Sequence, residues 1–136
     1  RDLHYPLRRQ RQMCIRDRND FELSDYYADD VVARVNNQQL NGYENLITGF
    51  KAHHELLYND ISIDELYVHT NYFSDGEVWS NSWFTWSGVG KTTGEEYTNR
   101  AHFDYKWENG KIVELLAYYS EYADLKESAA LQATQE

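Results

Sequence analysis

Cysteine is nearly missing from this chain of 136 residues, which contains a single one, Cys14. One cysteine excludes an internal disulfide framework and a zinc site built on cysteine thiolates. The chain also lacks any run of 18 apolar residues, which excludes a membrane-spanning helix. Basic residues are few, because 13 Lys and Arg stand against 23 Asp and Glu and give a formal net charge of −10. So acidic a chain disfavours binding to nucleic acid or to an anionic membrane.

Aromatic side chains, in contrast, are abundant. Four Trp, twelve Tyr and five Phe make up 15% of the residues. So many rings can bury enough apolar area to offset the conformational entropy of the chain, so we expect a folded protein. Its length suits one compact domain.

Residues 1–18 differ sharply in composition from the rest. They hold six of the 13 basic residues, so residues 19–136 alone carry a net charge of −14. A basic arm for nucleic acid or lipid is one interpretation, and a targeting peptide is another, although the apolar stretch of such a peptide is missing. We favour a third, because residues 13–18 resemble the translation of a sequencing-transposon end. On this hypothesis residues 1–18 are non-native or disordered, and residues 19–136 form a single domain.

Hydrophobic periodicity predicts an alternation of helices and strands. The predicted helices are residues 20–28, 43–57 and 121–131. The predicted strands are residues 31–35, 61–72, 77–87, 95–107 and 111–119. The polar residues 36–42 predict a loop.

Strand alternation separates two faces of the segment 95–107. The face expected to meet a core or cavity carries Tyr97, Ala101, Phe103, Tyr105 and Trp107. The face expected to meet water or a partner carries Arg100, His102, Asp104 and Lys106.

The turn signal Asp75-Gly76 predicts the pairing of the two preceding strands. It pairs Tyr72 with Trp79, Thr70 with Asn81 and Val68 with Trp83. One face of the second strand then carries Trp79, Asn81, Trp83 and Thr85, and the other carries Ser80, Ser82, Phe84 and Trp86.

Several short motifs, in this order and spacing, resemble the nuclear-transport-factor-two-like superfamily and its SnoaL-like branch. They are Tyr27-Ala28-Asp29-Asp30-Val31, Leu40-Asn41-Gly42, Trp86-x-Gly88, Lys91-Thr92-Thr93-Gly94, Trp107-Glu108-Asn109-Gly110-Lys111-Ile112-Val113 and Ala117-Tyr118-Tyr119. The resemblance implies an α+β fold with a cone-shaped, curved, mixed or antiparallel sheet wrapped around N-terminal helices, as in cystatin-like folds. The family has a longer helix before Tyr27, so we expect the first helix to be truncated here.

The resemblance also implies a pocket on the concave face and a dimer through the convex face. By analogy we expect the pocket to be lined by Phe50, His53, Trp79, Asn81, Trp83, Thr85, Phe103, Leu115, Ala117 and Tyr119. We expect His69, Ser80, Ser82, Arg100, His102 and Asp104 to face outward.

The carboxylates of two related enzyme groups have no counterpart in this chain. In ketosteroid isomerases, which the chain resembles in layout, the two pocket acids align with Val35 and Phe103. In limonene-epoxide hydrolases the catalytic Asp aligns with Ala117. Val, Phe and Ala cannot accept a proton, so the resemblance does not extend to either reaction.

Two side chains are the candidate catalytic groups, His54 on the second helix and Tyr105 on the aromatic face. His53 and His54 are adjacent, and either could act as a general base at the pocket mouth. Metal binding is disfavoured, since HExxH spacing is absent and adjacent helical side chains diverge. We expect no metal and no cofactor.

Two functions remain open. The first is a SnoaL-like domain that binds a small apolar or polycyclic molecule and acts as a lyase, isomerase or hydrolase. The second is a non-catalytic dimerisation or scaffolding module that uses Tyr67, Trp86 and Arg100 on the convex face. In either case we expect a homodimer in the cytoplasm, with no nucleic acid or membrane partner. The sequence leaves open whether a secretory signal once preceded it.

Overall fold

The structure, a computed structural model, describes residues 23–135. Its six strands are β1 (Tyr27–Val35), β2 (Gln38–Asn41), β3 (Tyr58–Tyr72), β4 (Val78–Gly90), β5 (Glu96–Glu108) and β6 (Lys111–Tyr119). Its helices are α1 (Tyr43–Ala52), which continues into a π-helical turn (His53–Leu57), and α2 (Tyr122–Ala133). None of the helices within residues 23–135 has the length and apolar character needed to cross a membrane.

All six strands form one sheet in the order β2-β1-β6-β5-β4-β3. Strands β1 and β6 run parallel, and every other neighbouring pair is antiparallel. The predicted α+β class with a curved mixed sheet is confirmed. The curvature includes two bulges in β3, where Asp60 and Glu65 take positive φ angles of 54° and 51° and the pairing with β4 shifts.

Two predictions near the start of the described chain are wrong. Residues 24–26 form a turn and Tyr27 begins β1, where a helix over 20–28 was expected. Strand β2 lies within the predicted loop 36–42; it pairs with β1 at an exposed sheet edge, so its polar residues show no apolar alternation. The proposal for residues 1–18, and residues 20–22 of the expected helix, lie outside the described residues.

The pairing of β3 with β4 differs by one residue from the predicted register. Tyr72 pairs with Val78, and His69 pairs with Asn81. The connecting turn is one residue shorter than expected, because the amide of Phe73 donates to the carbonyl of Glu77 at 2.9 Å. The offset is one residue between Tyr67 and Tyr72 and grows to two and then three residues beyond the bulges, where Asp64 pairs with Thr85 and Asn59 with Val89.

The main core lies between α1 and the inner face of the sheet. Leu46 and Ile47 of α1 are buried there. Fully or nearly fully buried side chains of the sheet and the segment before it complete this cluster: Leu23, Tyr26, Tyr27, Val31, Ala33, Tyr105, Trp107, Ile112 and Leu115. A smaller cluster of Tyr58, Tyr97 and Ala123 holds α2 against the far end of the sheet. Between the two clusters the inner face is left unfilled.

Candidate functional site

A cavity of about 260 Å³ occupies this unfilled region. Its walls come from β1 and β2, α1 and its π-helical turn, β3 to β6, and the first turn of α2. The lining residues are Val35, Gln38, Leu40, Leu46, Gly49, Phe50, His53, His54, Tyr58, Ile61, Ile63, Phe84, Trp86, Asn99, Ala101, Phe103, Leu115, Ala117, Tyr119, Ala123 and Asp124. Most of these side chains are aliphatic or aromatic, as is typical of sites for small organic molecules.

A histidine and a carboxylate meet at one wall of this cavity. Nε2 of His53 lies 3.2 Å from Oδ2 of Asp124. The phenol of Tyr58 donates to Oδ1 of the same carboxylate at 2.5 Å, and the phenol of Tyr119 also donates to it. The side chain of Asp124 is 22% exposed and that of His53 33%. Asp124 therefore orients the imidazole while part of the ring stays accessible.

The charge state of this cluster follows from its hydrogen bonds. Burial opposes ionisation of Asp124, but the bonds from His53, Tyr58 and Tyr119 outweigh it and lower the pKa of the carboxyl below 3.8. Burial, together with the neighbouring Asp124, raises the pKa of both tyrosines above 10. At neutral pH Asp124 is therefore ionised, and both tyrosines are neutral phenols.

A π-helical turn carries both histidines of the cavity wall, His53 and His54. A π-helical turn carries one more residue than the equivalent α-helical turn. The regular helix ends at Ala52, and Tyr58 at once begins β3 in an extended conformation. The wider turn keeps both His53 and His54 on the cavity wall, although neighbouring helical side chains ordinarily diverge.

Helix α2, which carries Asp124, is held by contacts at its start and in its middle. Asn36, whose φ is 53°, donates to Glu121 at 3.1 Å and accepts the amide hydrogen of Tyr119 at 3.0 Å. In the middle of the helix, the buried carboxylate of Glu127 accepts the hydroxyl hydrogens of Thr93 and Tyr97, each at 2.6 Å. These contacts fix the helix on which Asp124 lies.

The close approach of Glu127 accounts for one glycine of the β4–β5 connection. A Cβ at Gly90 would collide with the Glu127 carboxylate. The amide groups of Thr92 and Thr93 point at the same carboxylate, at 3.3 and 3.4 Å. The motif Lys91-Thr92-Thr93-Gly94 is therefore a docking loop for α2.

Most of the residues expected to line a pocket do line this cavity. They are Phe50, His53, Phe103, Leu115, Ala117 and Tyr119. Of the two candidate catalytic residues, His54 lies on the wall and its Nδ1 is 3.0 Å from the carbonyl oxygen of Phe50. The structure does not bring Tyr105 to the cavity, because that ring is 5% exposed within the main core.

The prediction of which face of β4 lines the pocket is wrong. Trp79, Asn81, Trp83 and Thr85 point away from the cavity, and Trp83 is 43% exposed. The inner face instead carries Ser80, Ser82, Phe84 and Trp86, which correspond to the buried or cavity-lining positions. The reason lies in packing: Ser80 and Ser82 pair directly with Tyr105 and Phe103 of β5, whose rings leave room only for small neighbours.

The faces of β5 and β6 agree with expectation. Ala101, Tyr105 and Trp107 are buried. His102 and Asp104 lie on the outer face, where Nε2 of His102 is 2.8 Å from Oδ1 of Asp104. This second histidine–carboxylate pair lies on the side of the sheet opposite the cavity.

The three positions that the resemblance aligned with carboxylates of two enzyme groups all lie on the cavity wall. They are Val35, Phe103 and Ala117. The cavity therefore has the location that the resemblance implied but a different acidic group, Asp124, which approaches from α2.

Sequence reasoning missed Tyr58 and Asp124. In the sequence, Asp124 lies in the first turn of the predicted helix 121–131, where an acid ordinarily stabilises the helix dipole. The only signal that could have marked it is its place three residues before Glu127, which puts two carboxylates on one helix face. In the described part of the chain, no group of three or more His, Cys, Asp and Glu side chains is arranged to hold a metal ion.

Known structures share this architecture. A protein from Bacillus subtilis, named as a candidate isomerase, is 11% identical with a TM-score of 0.72, and the alignment covers 96% of each chain. An NTF2-like protein from Anabaena variabilis is 17% identical with a TM-score of 0.70, covering 88% of this chain and 92% of the other. A hexachlorocyclohexane dehydrochlorinase is 15% identical with a TM-score of 0.67, and the alignment again covers 88% of this chain and 92% of the other.

At these identities the structures establish the fold alone. No curated protein matches the sequence significantly. The SnoaL-like domain family matches residues 9–115, well over half of the chain. The chain shares its fold with an NTF2-like protein, and it belongs to the SnoaL-like domain family.

Proposed function

We propose that this domain binds a small, largely apolar molecule in the cavity and removes a proton from it with His53. The observation that carries the proposal is the contact between Nε2 of His53 and Oδ2 of Asp124, 3.2 Å, at the wall of a 260 Å³ apolar cavity. The reaction class is that of a lyase, isomerase or hydrolase that begins with a proton transfer.

The arrangement of atoms supports a general base. The carboxylate of Asp124 accepts the N–H on Nε2, which leaves the lone pair of the imidazole on Nδ1. When a proton arrives on Nδ1, the imidazolium that forms is stabilised by the adjacent ionised carboxylate. Tyr58 and Tyr119 keep that carboxylate charged by donating to it.

The apolar wall supports the same chemistry. Phe50, Phe84 and Phe103 make much of the cavity wall apolar. Charges interact more strongly in such surroundings than in water. A dehydrochlorinase is among the proteins of similar fold, and its name denotes removal of a proton and a chloride ion.

The test uses 5-nitrobenzisoxazole, a flat apolar probe that opens when a base removes its ring C–H proton. The proton passes to the base, the N–O bond breaks, and a coloured nitrile phenolate forms. We expect the native chain to accelerate this opening and His53→Gln to slow it by about 10²-fold, the range typical of a general base. His102→Gln is the matched control, because its own carboxylate partner lies on the outer face. Equal rates for His53→Gln and the native chain would refute the proposal.

The outer face supports a second candidate function. Four rings from neighbouring strands contact one another there in sequence: His69 to Trp83 at 4.9 Å, Trp83 to His102 at 4.7 Å and His102 to Tyr118 at 6.2 Å. Tyr118 is 50% exposed and Tyr67 67%. Exposed rings in a continuous row favour a surface for a second copy of the chain, as in a dimerisation module. Trp86 does not belong to this surface, since it lines the cavity.

A further inference from the structure

One carboxylate lies on the described wall of the cavity. Asp124 is the only acidic residue among the lining residues, and none of those described residues is Lys or Arg. The hydrogen bonds to Asp124 come from two phenols and an imidazole. When His53 is neutral, as a base must be, these donors stabilise the carboxylate without cancelling its charge. When His54, the other imidazole on the wall, is neutral too, the described lining carries a net charge of −1.

Aromatic rings surround this charge in an unbroken series. Six lining rings contact their neighbours in the order Trp86, Tyr58, His53, Tyr119, Phe103 and Phe84. The centroid separations run from 4.6 Å, between Tyr58 and Trp86, to 6.5 Å, between His53 and Tyr119. Asp124 contacts three consecutive members of the series, Tyr58, His53 and Tyr119.

Aromatic rings attract cations through the negative potential of their faces. A carboxylate within the same wall adds a full charge of the same sign. The whole chain, with a net charge of −10, contributes a field in that direction too. An anionic ligand would meet repulsion from each of these sources, whereas a cation would be attracted by all of them.

We infer that the ligand of this cavity is a small organic cation, an alkylammonium group on an apolar body. The inference rests on the proposed function, since it names the class of molecule that the same cavity takes. The cation lies against the ring faces on the Asp124 side, and its apolar part meets the aliphatic wall formed by Leu115, Ala117 and Ala101.

The experiment compares three probes of nearly equal shape by calorimetric titration at pH 8. Choline carries a quaternary nitrogen, 3,3-dimethylbutan-1-ol has carbon in its place, and 3,3-dimethylbutanoate is an anion. We expect choline to bind the native chain at least ~10-fold more tightly than the neutral alcohol, in line with a desolvated cation–π contact. The anion should bind most weakly.

Two variants locate the effect. Asp124→Asn should lower the affinity for choline by about 10-fold and leave that for the alcohol unchanged. Asp104→Asn, which removes a carboxylate on the outer face, should alter neither affinity. Should Asp124→Asn fail to fold, the affinities of the native chain for choline and for the alcohol still test the inference.

The contradicting outcomes separate the two proposals. If the alcohol binds as tightly as choline, the cation inference is overturned while ligand binding in the cavity stands. If Asp124→Asn leaves the ratio of the choline affinity to the alcohol affinity unchanged, the assignment of the attracting charge to Asp124 is overturned. If neither probe binds the native chain, both the inference and the proposed binding function fail.

Discussion

The hydroxyl of Ser80 accepts the indole N–H hydrogen of Trp107 at 2.8 Å, with both side chains buried. The two residues lie on the inner face of neighbouring strands, β4 and β5. The direct partner of Ser80 on β5 is Tyr105, and Trp107 lies two residues further along that strand. A serine among large rings thus satisfies the one polar atom that the tryptophan brings into the core.

Ser80→Ala should therefore lower the free energy of unfolding by about 1–3 kcal/mol, because the indole N–H is left buried without its acceptor. Urea titration of the native chain and the variant measures the difference. Ser74→Ala, in the exposed β3–β4 turn, serves as the control and should change stability by less than about 0.5 kcal/mol. An unchanged midpoint for Ser80→Ala would show that water satisfies the indole instead.

This bond also explains why the faces of β4 could not be predicted. Serines alternate with tryptophans there, and apolar patterning alone favours tryptophans inside. The interior near β4 is already filled by Tyr105 and Trp107 from β5. The strand β5, where charged residues alternate with rings, gives an unambiguous pattern and was predicted with the correct faces. The face of β4 that points inward is determined by the volumes of the side chains paired across β4 and β5, and hydrophobic periodicity contains no information on those volumes.

The candidate site could likewise be predicted only in part from the sequence. The residues of β5 and β6 that line the cavity follow from their alternation and the resemblance, as Phe103 and Ala117 show. Asp124 comes from a helix at the other end of the sequence from His53, and only the tertiary fold brings the two together. A lone acid in a first helical turn has the same sequence appearance whether it stabilises the dipole or faces a cavity.

Glu127→Gln should destabilise the domain by about 1.5–3 kcal/mol at pH 7, since the charged acceptor of Thr93 and Tyr97 is lost. Burial opposes ionisation of Glu127, but these bonds outweigh it and lower its pKa below 4.5. A lowered pKa stabilises the folded state above pH 4.5, and this stabilisation disappears as the pH falls through the folded value.

The difference in unfolding free energy between the native chain and Glu127→Gln should therefore shrink as the pH falls below about 4.5. Denaturant titrations across the acidic range measure it. Glu96→Gln, on an exposed residue near the same loop, is the control and should show little difference at any pH. A Glu127→Gln difference that is constant with pH would contradict the role given to the ionised carboxylate.

Ala117→Leu should fill part of the cavity from β6, beside Phe103. The unfolding free energy should change by no more than about 1.5 kcal/mol, because an apolar side chain enters an apolar space. Opening of 5-nitrobenzisoxazole should slow by at least ~10-fold, since the probe loses its place near His53. Leu116→Ile, at the adjacent position whose side chain points to the other face, should leave the rate unchanged. A full rate in Ala117→Leu would place the reaction outside this cavity.

Trp83→Glu tests the outer face. If that face joins two copies of the chain, a charge at the centre of the ring row should raise the dimer dissociation constant by at least ~10-fold. Sedimentation of the native chain and the variant measures it. Glu96→Lys, away from the ring row, is the charge-changing control. A native chain that remains monomeric at about 100 µM would contradict the dimer alternative.

The most direct measurement of the central claim follows the histidine ring signals by NMR while a cavity ligand is added. The ligand is 5-nitro-1H-indazole, an uncharged and unreactive isostere of the kinetic probe, and His53→Gln, His69→Gln and His102→Gln assign the signals. We predict that the ring signals of His53 shift with saturation while those of His69 and His102, on the outer face, stay in place. Shifts confined to His69 or His102, or no shift at His53 up to saturating ligand, would contradict the account.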